Sequence, residues 1–114
     1  MAVVSAVNAR RARAGDAPLA IDANLDATAQ SWAQELARSG VLRHSASVGA
    51  GRPYTVAGEN VGMGTSVDQI SSAFEHSAPH LANIVDRRYT VIGIGVATDS
   101  RGRVWVVQQF MKPA

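Results

Sequence analysis

The spacing of apolar residues along the chain predicts three helices. In each segment, apolar side chains recur every three or four positions and polar side chains fill the gaps, which is typical of a helix with one buried face. In the second segment, Leu25, Ala29 and Leu36 share a face with Trp32, which we expect to anchor the core. The predicted helices cover residues 2–14, about 24–39 and 67–77.

Residues with strong terminal preferences mark where these helices begin and end. Gly15 and Gly40 are placed to end the first two helices, since glycine readily adopts the left-handed C-cap conformation. Asn24 or Asp26 is predicted to cap the second helix, and Ser66 the third. Ala78-Pro79 is predicted to end the third helix, because the residue before proline is disfavoured in the helical conformation.

Three further segments predict β-strands. Residues 55–61 form a short candidate strand, after which Gly62 and Gly64 are expected to loosen the chain. Residues 89–98 and 103–111 are rich in β-branched and aromatic side chains and are joined by a short Gly-containing turn, which predicts an antiparallel hairpin. Gly93 and Gly95 leave room for close approach of another backbone. Leu19 and Ile21 are predicted to tuck into the core.

Helices that come first, a strand in mid-chain and a closing hairpin indicate an α+β fold. We expect an antiparallel sheet covered by helices on both faces, with the hairpin in the centre. At 114 residues, with 46% hydrophobic residues, the chain (1–114) is predicted to be a single domain. It contains no cysteine, which excludes disulfides and thiolate metal sites.

Charge and hydropathy restrict the functional classes. The net charge is only +2 and the arginines are scattered, so nucleic-acid binding is not expected. Arg10, Arg11 and Arg13 are interpreted as a solvated helix end, where cations interact favourably with the helix dipole. No apolar run is long enough for a transmembrane segment. No signal peptide is visible, so the protein is either cytosolic or a mature domain that begins at a new Met1.

Three proton- or metal-binding side chains lie at element boundaries, where sites are often built. His44 lies in a polar loop, Glu59 lies in the mid-chain strand between Gly58 and Asn60, and His80 follows Pro79. We predict that these three side chains converge on one cleft. His76 projects from the opposite side of its helix and is not counted as a site residue.

An ordered set of short motifs resembles the CAP superfamily (cysteine-rich secretory proteins, antigen 5, pathogenesis-related 1), also called SCP-like domains. The similarity is strongest to its short, cysteine-free bacterial branch and spans nearly the whole chain. It includes Asn8 and Arg11 near the start and Trp105 to Phe110 at the end. Its strongest motifs are His44-Ser45, Gly58-Glu59-Asn60, Phe74-x-x-Ser77-x-Pro79-His80, Asn83-Ile84 and Gly93-Ile94-Gly95.

This resemblance implies a three-layer αβα sandwich and a cleft with two histidines and two acidic residues. His44, Glu59 and His80 match three of those four positions, and Ser77 stands where many members have a glutamate. Family members are usually secreted, which favours a mature domain from a secreted or cell-envelope protein.

Three functions remain open. In the first, the domain is a binding module in which His44 and His80 hold a polar group or a divalent metal such as zinc, and Glu59 orients one imidazole. Asn60 and Asn83 brace the loops in this interpretation. In the second, the domain is a hydrolase that uses Glu59 as general base on a metal-bound water, or Ser77 activated by His80.

In the third, the histidines and the glutamate form a structural network, and a lipid or a partner binds elsewhere. The expected partner is a small ligand, a lipid or a cell-envelope component, and we expect a monomer.

Overall fold

Residues 2–114, which the computed structural model describes, form four α-helices around one four-stranded sheet. Helices α1 to α4 span Ala2–Arg13, Ala23–Ser39, Val67–Glu75 and Ala78–Ile84. Strands β1 to β4 span Ala20–Ile21, Tyr54–Gly64, Val91–Thr98 and Val104–Pro113. A single turn of 3-10 helix, Val48–Gly51, interrupts the long loop between α2 and β2. None of the helices described is long and apolar enough to cross a membrane.

The strand order is β1-β3-β4-β2. The predicted hairpin of β3 and β4 is confirmed and lies in the centre of the sheet. The sheet is mixed rather than purely antiparallel, because β1 pairs with β3 in parallel. The prediction that Ile21 enters the core was wrong: this residue lies on the two-residue edge strand β1 and is exposed, whereas Leu19 is buried as expected.

Side chains of β4 alternate between two cores, as expected for a strand between two helical layers. Trp105 and Val107 pack with α2 on one face of the sheet. Val106 and Phe110 pack on the other face, in a cluster that includes residues of α1, α3 and α4. The expected α+β, three-layer αβα arrangement is therefore confirmed.

Gly40 and Ser66 act at the helix ends where they were predicted to act, whereas the N-cap of α2 lies elsewhere. Gly40 adopts the left-handed conformation after α2, with φ 69°, and Ser66 caps α3 by accepting from the backbone N–H of Gln69. The N-cap of α2 is Asp22, not Asn24 or Asp26: its extended backbone places its carboxylate to accept from the N–H of Leu25 at 3.0 Å.

Two polar side chains of α2 close the edge of β3 that extends beyond β1. Asp26 accepts from the backbone N–H of Ile94 at 2.9 Å. Gln30 accepts from the N–H of Val96 and donates to its carbonyl oxygen, each at 2.9 Å. These bonds replace the missing strand along β3, which explains why β1 can be so short.

Helix α2 lies directly on β3 because two strand positions carry no side chain. A Cβ atom added at Gly93 would collide with the backbone of Leu25 and Asp26, and one added at Gly95 would collide with Ala29. The close approach predicted for these two glycines is confirmed.

Strand β2 is longer than predicted and contains Gly62 and Gly64, which were expected to loosen the chain. Glycine is needed there because α3 packs against this half of the strand. A Cβ atom at Gly62 would lie 2.8 Å from the ring of Phe74, and one at Gly64 would displace the end of the Gln69 side chain and lie 3.0 Å from Cγ1 of Ile70.

Arg11 is buried, so the interpretation of its cluster as a solvated helix end was wrong at this position. Its guanidinium donates to the carbonyl oxygens of Ala17 at 2.8 Å, Ile84 at 3.0 Å and Asp86 at 2.8 Å. Desolvation lowers the pKa of Arg11, and the carboxylates of Asp16 and Asp86 partly offset this effect. Arg11 thus joins α1 to the segments that follow α1 and α4.

Arg11→Met should destabilise the fold, because it leaves several carbonyl groups without their donors. We expect a loss of roughly 3 kcal/mol or more in the free energy of unfolding, measured by urea denaturation. The matched control is Arg13→Met on the same helix, where an exposed ion pair with Glu75 is removed at a cost of about 1 kcal/mol or less. Equal losses for the two variants would contradict this role.

Candidate functional site

The carboxylate of Glu59 lies under the loop that carries His44. Its Oε1 atom accepts from the backbone N–H of Ser45 at 2.8 Å and lies 3.0 Å from Nδ1 of His44. Its Oε2 atom accepts from the hydroxyl of Ser45 at 2.6 Å and from Nε2 of Gln109 at 2.9 Å. Gln109 lies opposite Glu59 in the pairing of β2 with β4.

Four donors therefore surround this carboxylate, whose side chain is only 4% exposed. A carboxylate has room for about four hydrogen bonds, so both oxygens of Glu59 are fully engaged. Gln109 is itself held by α2, because its Oε1 atom accepts from the hydroxyl of Thr28 at 2.6 Å. These bonds tie the loop, two strands and α2 together.

The ring of His44 is 67% exposed, although one of its nitrogens is fixed. An ionised carboxylate can only accept, so the bond to Glu59 places a proton on Nδ1 and leaves Nε2 of the neutral ring as the free nitrogen. The preceding residue anchors the loop. The indole N–H of Trp32 donates to the carbonyl of Arg43 at 3.0 Å, and the Arg43 guanidinium lies 4.8 Å above the indole ring.

His80 lies in the first turn of α4 and is held differently. Its ring stacks on Phe74 with 4.8 Å between ring centroids. Its Nδ1 atom lies 2.8 Å from the hydroxyl of Ser77, the N-cap residue of α4, whose side chain makes no capping bond to the helix.

Asn60 and Asn83 connect β2, which carries Glu59, to α4, which carries His80. Asn60 donates to the backbone carbonyl of His80 at 3.0 Å. Asn83 donates to Oδ1 of Asn60 at 2.9 Å and to the backbone carbonyl of Glu59 at 3.2 Å. Within residues 2–114, no hydrogen bond or ion pair joins the ring of His80 directly to His44 or to Glu59. Of the predicted site residues, the structure brings His44 to Glu59, and Ser77 to His80.

A cavity of about 260 Å³, which we call the edge cleft, opens beside β2. Its apolar lining includes Val61, Ile70 and Phe74, and Ser77 and His80 supply polar groups. The remaining lining residues are Leu42, Gly62, Met63, Gln69 and Ala73. His44 does not line the cleft, but Leu42 belongs to the same loop.

The donor set for a metal is small. Among residues 2–114, no three histidine, aspartate or glutamate side chains come together in a way that could hold a metal ion. Both oxygens of Glu59 are already used by protein donors, which leaves the imidazoles of His44 and His80 as the remaining predicted ligands.

Thr28 and Gln109 were not predicted to take part in the site. Polar residues on helices and strands are common, and nothing in the local sequence of either residue indicates that Thr28 bonds to Gln109 and Gln109 to Glu59. The alternation along β4 would have placed Gln109 on the α2 face, but only the register with β2 brings it to Glu59.

Comparison with known families identifies the fold. The model of the Cysteine-rich secretory protein family (CAP) matches residues 4–110. The chain belongs to the CAP family. His44, Glu59 and His80 all fall within the matched region, which ends inside β4.

Relatives of this CAP domain occur in bacteria. It is 31% identical over 119 residues to the uncharacterised protein YkwD of Bacillus subtilis; the match covers 96% of this chain and 45% of YkwD, so the chain spans less than half of that relative.

Among solved structures, it resembles an outer surface protein of Borrelia burgdorferi, with a TM-score of 0.87, 17% identity, and coverage of 97% of this chain and 90% of that one. It also resembles an extracellular protein of Bacillus anthracis that contains an SCP domain, with a TM-score of 0.79, 20% identity, and coverage of 93% and 37%.

Glu59→Gln should destabilise this CAP domain although the two side chains have the same shape. Each carboxylate oxygen faces two donors, so the new NH₂ group must face donors on whichever side it lies. We expect a loss of roughly 2 kcal/mol in the free energy of unfolding, measured by urea denaturation at neutral pH.

Glu75→Gln is the matched control, because Glu75 accepts only from exposed Arg13 and its loss should cost about 1 kcal/mol or less. The proposed anchoring by Glu59 is wrong if its variant is as stable as this control.

Proposed function

We propose that this CAP domain is a secreted binding module, and that its edge cleft takes a small ligand by an apolar group. The ring of His80 supplies the polar contact through Nε2, since its Nδ1 is bonded to Ser77. The observation that carries the proposal is the edge cleft, in which an apolar lining meets one half-buried imidazole. Such a combination of an apolar wall and a few polar groups is typical of ligand sites.

The volume of the cleft favours a small ligand group. About 260 Å³ lies just below the roughly 300–1,000 Å³ of typical sites for drug-sized ligands. A branched alkyl group or one amino-acid side chain fits this space better than a whole lipid chain. A cell-envelope component remains the expected source of the ligand, and the outer-surface and extracellular descriptions of the two structural neighbours support secretion.

Hydrolysis with Glu59 as general base is disfavoured by the hydrogen bonds of this carboxylate. A general base needs a free oxygen within reach of the proton that it takes, and both oxygens of Glu59 are engaged by protein donors. Glu59 therefore fits the structural role, in which it holds the His44 loop on the sheet.

One observation favours a serine hydrolase as a second candidate: the 2.8 Å contact between Ser77 Oγ and His80 Nδ1. A serine nucleophile needs a base at this distance and a third group that orients the base. Among the residues described, no side chain bonds to Nε2 of His80. Hydrolysis of p-nitrophenyl acetate that disappears in Ser77→Ala would favour this candidate over simple binding.

Zinc binding by His44 and His80 stays a prediction. Their Nε2 atoms would be the ligating atoms, because both Nδ1 atoms are bonded. Titration calorimetry with zinc chloride should give heat with the native protein and none with the His44→Ala, His80→Ala double variant. Equal heats from both proteins would end this prediction.

The binding proposal is tested with isohexanol, which carries a branched alkyl group and one hydroxyl. In an NMR titration we expect saturable shifts at Ile70, Phe74 and His80, with an affinity of about millimolar for so few atoms. Ala73→Leu should abolish the shifts, because the larger side chain fills the cleft. Ser72→Leu on the same helix lies outside the cleft and should leave them unchanged. If neither the native protein nor the Ser72→Leu control showed saturable shifts, the proposal would be overturned.

A further inference from the structure

The two edges of the sheet are finished in different ways. Beyond β1, the backbone of β3 at Ile94 and Val96 is bonded by the side chains of Asp26 and Gln30. The opposite edge is formed by β2, which is 11 residues long. Unpaired edges of this length invite pairing with another chain unless they are covered or interrupted.

Only part of the β2 edge is covered. In an antiparallel pair, the N–H and C=O groups of alternate residues point away from the partner strand. The carbonyl of Glu59 points away from β4, since Asn83 donates to it. The register is regular through this half of β2, so the backbone groups of Val61 and Met63 also point away. Within residues 2–114, no protein group bonds to the N–H or C=O of these two residues.

The edge cleft lies along this open segment. Val61, Gly62 and Met63 line it, and Ile70 and Phe74 of α3 complete its apolar wall. Two large apolar side chains of the lining are exposed: Leu42 at 50% and Met63 at 42%. Free backbone groups thus lie beside a recess of side-chain size, which is the combination used when a protein binds a peptide by adding it to a sheet.

We propose that the ligand of the edge cleft is an extended peptide. Its backbone pairs with β2 at Val61 and Met63 as a fifth strand, and one apolar side chain enters the cleft. This inference rests on the proposed function and specifies its ligand class. A lipid would satisfy the apolar wall but not the row of backbone donors and acceptors.

A second copy of this chain fits the edge less well than a peptide. Asn83 covers the carbonyl of Glu59, and the outward-pointing backbone groups that line the edge cleft are those of only two residues, Val61 and Met63. A stable protein interface buries about 800 Å² on each partner, which so short an edge does not supply. A peptide needs only a few residues of edge and one anchoring side chain.

The test uses blocked pentapeptides in which one central residue is flanked by two threonines on each side. The central residue is leucine, valine, methionine or phenylalanine, and binding is followed by NMR with amide hydrogen exchange. We expect at least one peptide to bind and to slow the exchange of the Met63 amide. N-methylation of each peptide amide in turn should weaken binding by roughly tenfold at the paired position, since one backbone hydrogen bond is lost.

A pair of variants separates backbone pairing from side-chain contact. Met63→Pro removes an N–H that points away from β4, so the ladder with β4 keeps its bonds, as is usual for proline on an edge strand. It should lose peptide binding, whereas Met63→Ala keeps the donor and should retain most of it. If Met63→Pro does not fold, the N-methylated peptides decide the question.

Several results would overturn the inference. One is isohexanol binding with no binding of any of the four peptides, which would leave the proposed function intact. Another is peptide binding that is insensitive to N-methylation at every position. A third is a concentration-dependent dimer by light scattering in which the Met63 amide becomes protected without peptide. If neither isohexanol nor any peptide bound, the proposed function would fail as well.

Discussion

A buried carboxylate surrounded by four donors is the interaction on which the rest of this site depends. Burying a charged group is costly unless hydrogen bonds replace its lost water. Here Glu59 recovers those bonds from the loop through Ser45 and His44 and from the sheet through Gln109. A long loop with little regular structure is thereby fixed to the sheet, and the orientation of His44 follows from that attachment.

The fixed loop and α3 form the two sides of the edge cleft beside β2. Leu42 lies on the loop side, and Phe74 supports His80 on the helix side. The histidines therefore have different roles: one is an exposed ring held by a structural acid, and the other lines an apolar recess. The family motifs that contain these histidines do not show this difference, which depends on the side chains that each ring contacts.

Local signals predicted much of the fold. Gly40 and Ser66 act within one turn of their own helices, so their roles could be predicted from neighbouring residues alone. Asp22 was missed because Asn24 and Asp26 satisfy the same local rule, and only the tertiary bond to β3 assigns Asp26 another role.

The candidate site was less predictable. His44, Glu59 and His80 were found from their residue types and their places at element boundaries, and Ser77 by family resemblance, but several of the groups that hold the site come from distant parts of the chain. Gln109 lies 50 residues from Glu59, and the carbonyls of Ile84 and Asp86 lie more than 70 residues from Arg11. Such pairs leave no periodic pattern, since their contact depends on strand register and helix packing.

Gly93 and Gly95 of β3 restrict how the sequence of this domain can evolve. At Gly93 and Gly95 the backbone of α2 contacts the backbone of β3. No larger residue fits at these two positions unless the whole helix moves. Substitutions on that face of the sheet are therefore restricted to those that preserve the distance between α2 and β3. The opposite layer, in which Val106 and Phe110 interlock with three short helices, offers side chains that can compensate for one another. We therefore expect related domains to differ more in the layer of α1, α3 and α4, in the size of side chains and in ligand specificity, than in the layer of α2.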